Sequence, residues 1–134
     1  MEIFVSERKS VIIIDDSESV RSKLTLWFEE KKVNVISAKD GAEGYKKIKE
    51  KHRELVLIIS DYNMPNMNGG ELFQKLEQEQ FGNDILKILL TTETPGSNLL
   101  DFKNITNFKG WILKPLNESK FSKIMVKVGI FKAT

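Results

Sequence analysis

Cysteine is absent from the 134 residues, histidine occurs once, at His52, and proline only three times. Without cysteine there is neither a disulfide framework nor a thiolate metal centre. A single imidazole does not build a His-rich metal site or a triad that draws on several histidines. No apolar run approaches the roughly 20 residues that a helix needs to cross a bilayer. The opening MEIFVSERKS turns charged after a short apolar patch, which is not the pattern of a signal peptide. Charge of one sign is also scarce. Lys+Arg number 21 and Asp+Glu 19, and the resulting +2 is too weak to argue for nucleic acid. Repeats and low-complexity tracts are missing as well. What is present is ordinary for a globular chain, 40% hydrophobic and 30% charged. The length suits one domain, which at this size buries roughly two-thirds of its unfolded surface. The expectation is therefore a single cytoplasmic domain over residues 1–134, with residues 1–9 as a short lead and neither membrane nor nucleic acid as partner.

Four short runs, at residues 11–14, 55–59, 85–90 and 111–113, are nearly continuously apolar, the pattern of strands covered on both faces. A weaker run at 33–38 alternates and suits a sheet edge. Helical spacing fills the intervals. Val20, Leu24, Trp27 and Phe28 share one helix face that Ser17 can cap, and Phe121, Ile124, Met125 and Val128 share another behind Asn117. Residues 42–51 and 70–79 form shorter, more polar helices. Residues 97–107 form the weakest unit, where Asn and β-branched residues dilute helicity and a short or irregular helix is expected. The lysines at 46, 47, 49 and 51 read as a solvated helix face. The alternation of strand and helix is that of an open, doubly wound α/β sheet.

The informative residues follow the strands. The four strong runs end in Asp15-Asp16, Ser60-Asp61, Thr91-Thr92 and Lys114-Pro115. In a parallel sheet these ends share one edge, where open α/β folds place their ligand crevice. Asp15 and Asp16 could each merely cap the following helix, where negative charge is favoured. Together with Asp61, Thr91 and Lys114 they suggest more. Two carboxylates about 4 Å apart repel by roughly 4 kcal/mol at an effective dielectric near 20. Clustering them is costly unless a cation joins them, and all-oxygen ligands suit a hard ion such as Mg²⁺. A hydroxyl from Thr91 and an ammonium from Lys114 would complete a cradle for a phosphoryl group. Residue chemistry alone leaves open a phosphoryl-aspartate site and a Mg²⁺-dependent phosphotransferase.

From about Ser10 to Phe131 the chain resembles a response-regulator receiver domain, the phosphoacceptor module of two-component signalling. The segment from Asp61 to Gly69, DYNMPNMNG, resembles the family's D-x-x-M-P-x-M-x-G, and Asp15-Asp16, Thr91 and Lys114-Pro115 match the remaining signature in order. Successive separations of 45, 30 and 23 residues between Asp16, Asp61, Thr91 and Lys114 fit too. Asp40-Gly41-Ala42-Glu43 resembles the family's D-G-x-E. The resemblance implies a flavodoxin-like, five-stranded parallel sheet of order 2-1-3-4-5 flanked by about five helices, forming one receiver domain.

The same resemblance implies roles. Asp61 would be the phosphoacceptor. Asp16 and Asp61 would ligate Mg²⁺ directly, Asp15 mostly through water, and Asn63 through its main-chain carbonyl. Thr91 would bind a phosphoryl oxygen, Lys114 would pair with the modified carboxylate, and Lys114-Pro115 would be cis. Thr91 and Trp111 would form the switch. The protein would not be a classical enzyme, although it would assist its own phosphorylation and dephosphorylation. The donor would be a phosphohistidine on a sensor histidine kinase. Output would go to a target such as a flagellar motor switch component, as in chemotaxis-type single-domain regulators. The alternative is a phosphorelay intermediate or phosphate sink that serves a histidine phosphotransfer protein. Thr92 stands where the family usually has a small residue, and its extra atoms are expected to hinder access. Asn63 and Glu93 are similar to the amide and acid that flank the site in chemotaxis regulators. Met64 and Met67 read as packing residues, Pro65, Asn66, Asn68 and Gly69 as turn formers, and His52 as solvated. A haloacid-dehalogenase-like phosphatase needs D-x-D-x-T after its first strand, which residues 15–19 do not supply.

Overall fold

The computed structural model describes residues 8–92 and 102–133. Five strands, β1 (Ser10–Ile14), β2 (Asn34–Ala38), β3 (Leu55–Asp61), β4 (Leu86–Thr91) and β5 (Phe108–Leu113), pair in parallel in the order β2-β1-β3-β4-β5. Among the described residues the α-helices are α1 (Glu18–Glu30), α2 (Gly41–Lys51), α3 (Gly69–Gln78) and α4 (Glu118–Lys127), and a 3₁₀ turn lies at His52–Glu54. The parallel sheet explains the continuous apolar runs. Val11 and Ile13 pack with Leu24 and Phe28 of α1 and with Phe121 and Met125 of α4. Ile12 and Ile14 pack on the opposite face with Ile48 of α2 and Leu72, Phe73 and Leu76 of α3. Each fully buried aliphatic or aromatic side chain of this kind contributes roughly 1.5–3 kcal/mol.

The helices start where short polar side chains can hold their first amides. Ser17 accepts from Val20 N at 3.3 Å and Asn117 from Lys120 N at 3.0 Å. Asp40 accepts from Glu43 N at 2.8 Å, and Asn68 and Glu71 form a reciprocal capping box. At the start of α3, a Cβ on Gly69 would lie 2.5 Å from the Asp61 carbonyl oxygen. Only glycine lets that helix sit against the end of β3.

Two features differ from the sequence expectation, and a third was not anticipated by it. About five helices were expected, and among the described residues there are four α-helices. Of the expected short or irregular helix over 97–107, residues 97–101 lie outside the described residues, Phe102 has 3₁₀ geometry, and 103–107 run as turns and a bend, with Phe102 and Ile105 buried. Its Asn and β-branched content favours turns over a continued helix. Strand β5 begins at Phe108, earlier than the run at 111–113. Lys87 pairs with Phe108 but Leu89 with Trp111, so β5 carries one extra residue there. Gly110, at φ 116°, supplies the left-handed backbone of this bulge. Finally, Lys87 in the apolar run of β4 is buried. Its ammonium donates to the carbonyls of Gly82 at 2.8 Å, Ile85 at 2.9 Å and Thr106 at 3.1 Å.

Candidate functional site

Strand order places β1 and β3 side by side while their connections leave in opposite directions, the topological switch point at which a crevice opens. Asp15 and Asp16 follow β1 and Asp61 closes β3. Each offers a carboxylate oxygen, and the three oxygens lie within 4.8 Å of one another. Asp15 is fully buried, Asp61 is 5% exposed and Asp16 is exposed. Lys114, just after β5, brings its ammonium to Asp15 Oδ2 at 2.8 Å and to Asp61 Oδ2 at 3.3 Å. One ammonium against three carboxylates leaves the pocket with an excess of negative charge.

The two buried carboxylates are held differently. Asp15 has both oxygens engaged at short range, Oδ1 by Ser17 N–H and Oδ2 by Lys114, each at 2.8 Å. Among the described residues the Asp61 carboxylate has only longer contacts, Oδ1 with Asn63 N–H at 3.4 Å and Oδ2 with Lys114 at 3.3 Å. Burial, and next the charge of Asp15, push the Asp61 carboxyl above the usual aspartate range, while Lys114 and the Asn63 N–H oppose the shift. For Lys114, burial works against the charge, but Asp15 and then Asp61 outweigh it and raise its pKa. The chemistry of this donor set fits a hard divalent cation. It is all oxygen, carries excess negative charge, and includes one exposed and one loosely held carboxylate.

The structure also places the remaining residues singled out in the sequence. Thr91 ends β4 beside the cluster, is 6% exposed, and accepts Lys114 N–H on its carbonyl at 2.8 Å. Thr92 is exposed one residue further along, as is Asn63 after β3. Glu93 lies outside the described residues. The Lys114–Pro115 peptide is cis. Trp111 is not among the carboxylates. Through the bulge it stands opposite Leu89, as Leu113 stands opposite Thr91, so it shares a sheet face with Thr91, and the residue is 43% exposed. His52 is half-buried rather than freely solvated, its ring edge-on to Phe81 at 4.8 Å. Two participants escaped the sequence reading. Ser17 serves Asp15 through its main-chain N–H, which no residue type reveals. Arg21 donates to the Asp15 carbonyl at 2.7 Å. A cation near the positive end of a helix is locally unfavourable, and that was its available signal.

The family model of the response regulator receiver domain matches residues 11–126. The putative two-component response regulator ARR21 of Arabidopsis thaliana is 28% identical over 115 residues, which cover 86% of this chain and 18% of that protein. A chemotaxis protein CheY homolog of Campylobacter jejuni is 32% identical over 87 residues, 62% of this chain and 64% of the relative. The chain thus spans less than two-thirds of the length of either relative. Among solved structures, the CheX-CheY-BeF3-Mg complex of Borrelia burgdorferi superimposes with a TM-score of 0.76 at 26% identity, covering 89% of this chain and 87% of that one.

Proposed function

Because the chain belongs to the response regulator receiver domain family, we propose that it takes a phosphoryl group onto Asp61 from a phosphohistidine of a sensor kinase. The observation that carries the assignment is the contrast between the two buried carboxylates. The Asp15 carboxylate is engaged by an amide and an ammonium at 2.8 Å, whereas among the described residues the Asp61 carboxylate makes only contacts of 3.3 Å and longer. A carboxylate that must form a new bond cannot have its lone pairs committed, and Asp61 is the buried one that is free enough.

In the transfer, an Asp61 carboxylate oxygen attacks phosphorus, the bond from phosphorus to the donor imidazole nitrogen breaks, and that nitrogen keeps the electron pair and takes up a proton. Thr91 donates its hydroxyl hydrogen to a phosphoryl oxygen. Lys114 moves its charge from the carboxylate pair toward the new acyl phosphate, as a charge-assisted partner. Asp16 and Asp61, with Asn63 through its main-chain carbonyl and Asp15 through water, are the residues that would hold Mg²⁺. The ion supplies neutralisation of the phosphoryl charge that three carboxylates would otherwise repel. Water later attacks phosphorus, the bond from phosphorus to the Asp61 oxygen breaks, and inorganic phosphate leaves with Asp61 returned to its carboxylate, Thr92 and Asn63 flanking the approach.

Signal output then runs through phosphorylation-dependent binding of a partner protein. Thr91 and Trp111 share one sheet face, so movement of Thr91 toward the phosphoryl group changes the surroundings of an exposed ring. The relative named for chemotaxis supports a target such as a flagellar motor switch component. No helix among the described residues is long and apolar enough to cross a membrane. The test is incubation with Mg²⁺ and acetyl phosphate, read by intact mass. Wild type gains one phosphoryl group and Asp61→Asn gains none. Identical spectra for the two proteins defeat the assignment.

A further inference from the structure

All four polar atoms of Asp15 are tied, each by a different part of the chain. Its N–H donates to the Ala38 carbonyl of β2 at 3.1 Å, and its carboxylate oxygens accept from Ser17 N–H and from Lys114. Its own carbonyl accepts from Arg21 Nη1 at 2.7 Å. That last bond differs in kind from the others, because the Asp15 carbonyl belongs to the peptide joining Asp15 to Asp16. Its orientation sets the direction in which the Asp16 side chain leaves the backbone. Asp16 is the exposed member of the carboxylate cluster and has none of the packing that fixes Asp15 and Asp61. Arg21 itself is well placed to act as a clamp. It is half-buried in the first turns of α1, its N–H bonded to the Ser17 carbonyl at 3.1 Å, so the guanidinium reaches back over a rigid helical start.

We propose that Arg21 is a positioning residue of the acidic cluster, holding the Asp15–Asp16 peptide plane through its guanidinium bond to the Asp15 carbonyl so that the Asp16 carboxylate points at Asp61. This rests on the reading of the cluster as a Mg²⁺-dependent phosphoacceptor site. The alternative role for Arg21, as a mere counter-charge, has the opposite sign. A guanidinium held at the Asp15 carbonyl carries a positive charge that repels an incoming cation, so if charge dominated, its removal would tighten cation binding. If positioning dominates, removal weakens it. The two ions Mg²⁺ and Ca²⁺ separate the cases further. Mg²⁺ demands near-ideal octahedral ligand placement, whereas Ca²⁺ tolerates longer and irregular geometry. A loosened Asp16 therefore penalises Mg²⁺ more than Ca²⁺.

The experiment is calorimetric titration of the unphosphorylated full chain with MgCl2 and separately with CaCl2, for wild type, Arg21→Gln and Arg21→Lys. Thermal unfolding without divalent ions is recorded beside it. In Arg21→Gln the Mg²⁺ affinity falls by about ten-fold, in the range for loss of an outer-shell partner of a metal ligand. The Ca²⁺ affinity falls by no more than about three-fold, so discrimination between the ions narrows. Arg21→Lys, which keeps a donor and the charge without the planar fork, recovers part of both. A purely structural role lowers the unfolding temperature without changing the ratio of the two affinities. Unchanged or tightened Mg²⁺ binding in a folded Arg21→Gln protein overturns the inference while leaving the phosphoacceptor reading intact. Wild type that binds no Mg²⁺ defeats the parent reading, and this one with it.

Discussion

Two lysines, one toward each end of the sheet, are taken out of water by the same fold and are treated in opposite ways. Lys87, near the start of β4, is 1% exposed and gives its ammonium to three main-chain carbonyls. Lys114, after β5, gives its ammonium to two carboxylates. Burial disfavours the charge at both. At Lys87 burial wins and the pKa falls, since its hydrogen-bonding partners are dipoles. At Lys114 the carboxylates win and the pKa rises. The comparison teaches that a buried cation surrounded by carbonyls is a structural fastening, whose partners are fixed. A buried cation surrounded by excess carboxylate is a movable counter-charge, which another group can replace or redirect. Lys87 ties the turn before β4 to the entry of β5, and Lys114 ties the ends of β1 and β3 together.

Replacing each lysine tests the division. Lys114→Met slows phosphoryl transfer to Asp61 by about 100-fold or more, the usual cost of removing one stabilising donor from a reacting oxyanion. The check is the initial rate with acetyl phosphate. A rate within two-fold of wild type, by intact mass, ends the functional half of the comparison. Lys87→Met leaves that rate unchanged in folded protein but costs about 2–4 kcal/mol of stability, because three carbonyls lose their donor. Chemical denaturation measures the loss.

The pH dependence of the two variants has opposite signs. Relative to Lys114→Met, the contribution of wild-type Lys114 is fully present below 10.5 and is lost as pH rises through its raised folded pKa. Relative to Lys87→Met, wild type gains as pH rises from the lowered folded pKa of Lys87 toward 10.5, because the unfolded chain then binds the extra proton. Parallel curves for the two variants under alkaline denaturation contradict the distinction between dipoles and charges.

A smaller effect sharpens the site itself. The folded pKa of Asp61 is raised above 3.8, so its favourable contribution is present below that value and is lost as pH rises through the folded pKa. Asp61→Asn therefore unfolds a few degrees higher than wild type at neutral pH, and the advantage disappears in acid. A variant less stable than wild type at pH 7 shows that the carboxylate is not strained by its neighbours. Smallest of all, Thr92→Ala opens the exposed rim of the site and raises phosphorylation and dephosphorylation rates by about two- to three-fold. Unaltered rates show that the extra methyl and hydroxyl obstruct nothing.

Much of this was legible in the residues. Four apolar runs ended in acid, hydroxyl or ammonium groups, and the strands carry those groups to one edge. The caps Ser17 and Asn117 stand where their side chains and the following helical spacing place them. Lys87 was not singled out as a buried, fastened group, because its residue type does not show which carbonyls its ammonium will meet. Its carbonyl partners include Thr106, from a segment distant in sequence. The early start of β5 was hidden for a related reason. Phe108, Lys109 and Gly110 break the apolar alternation, and only the bulge at Gly110 reconciles them with the ladder of β4.

The sequence by itself determined which chemical groups reach the crevice, because strand periodicity and residue type are local properties that hold whatever the rest of the chain does. Residue type left Asp15, Asp16 and Asp61 alike, three aspartates at strand ends, and only the motif around Asp61 told them apart. Their unequal contacts are a product of the tertiary structure. The contact between Lys114 and Asp15 spans 99 residues, and Arg21 and Ala38 reach the same aspartate from a helix and a neighbouring strand. Hydrogen bonds fall off over tenths of an ångström. Which carboxylate is tied down and which stays available is therefore decided only when distant elements close to contact distance.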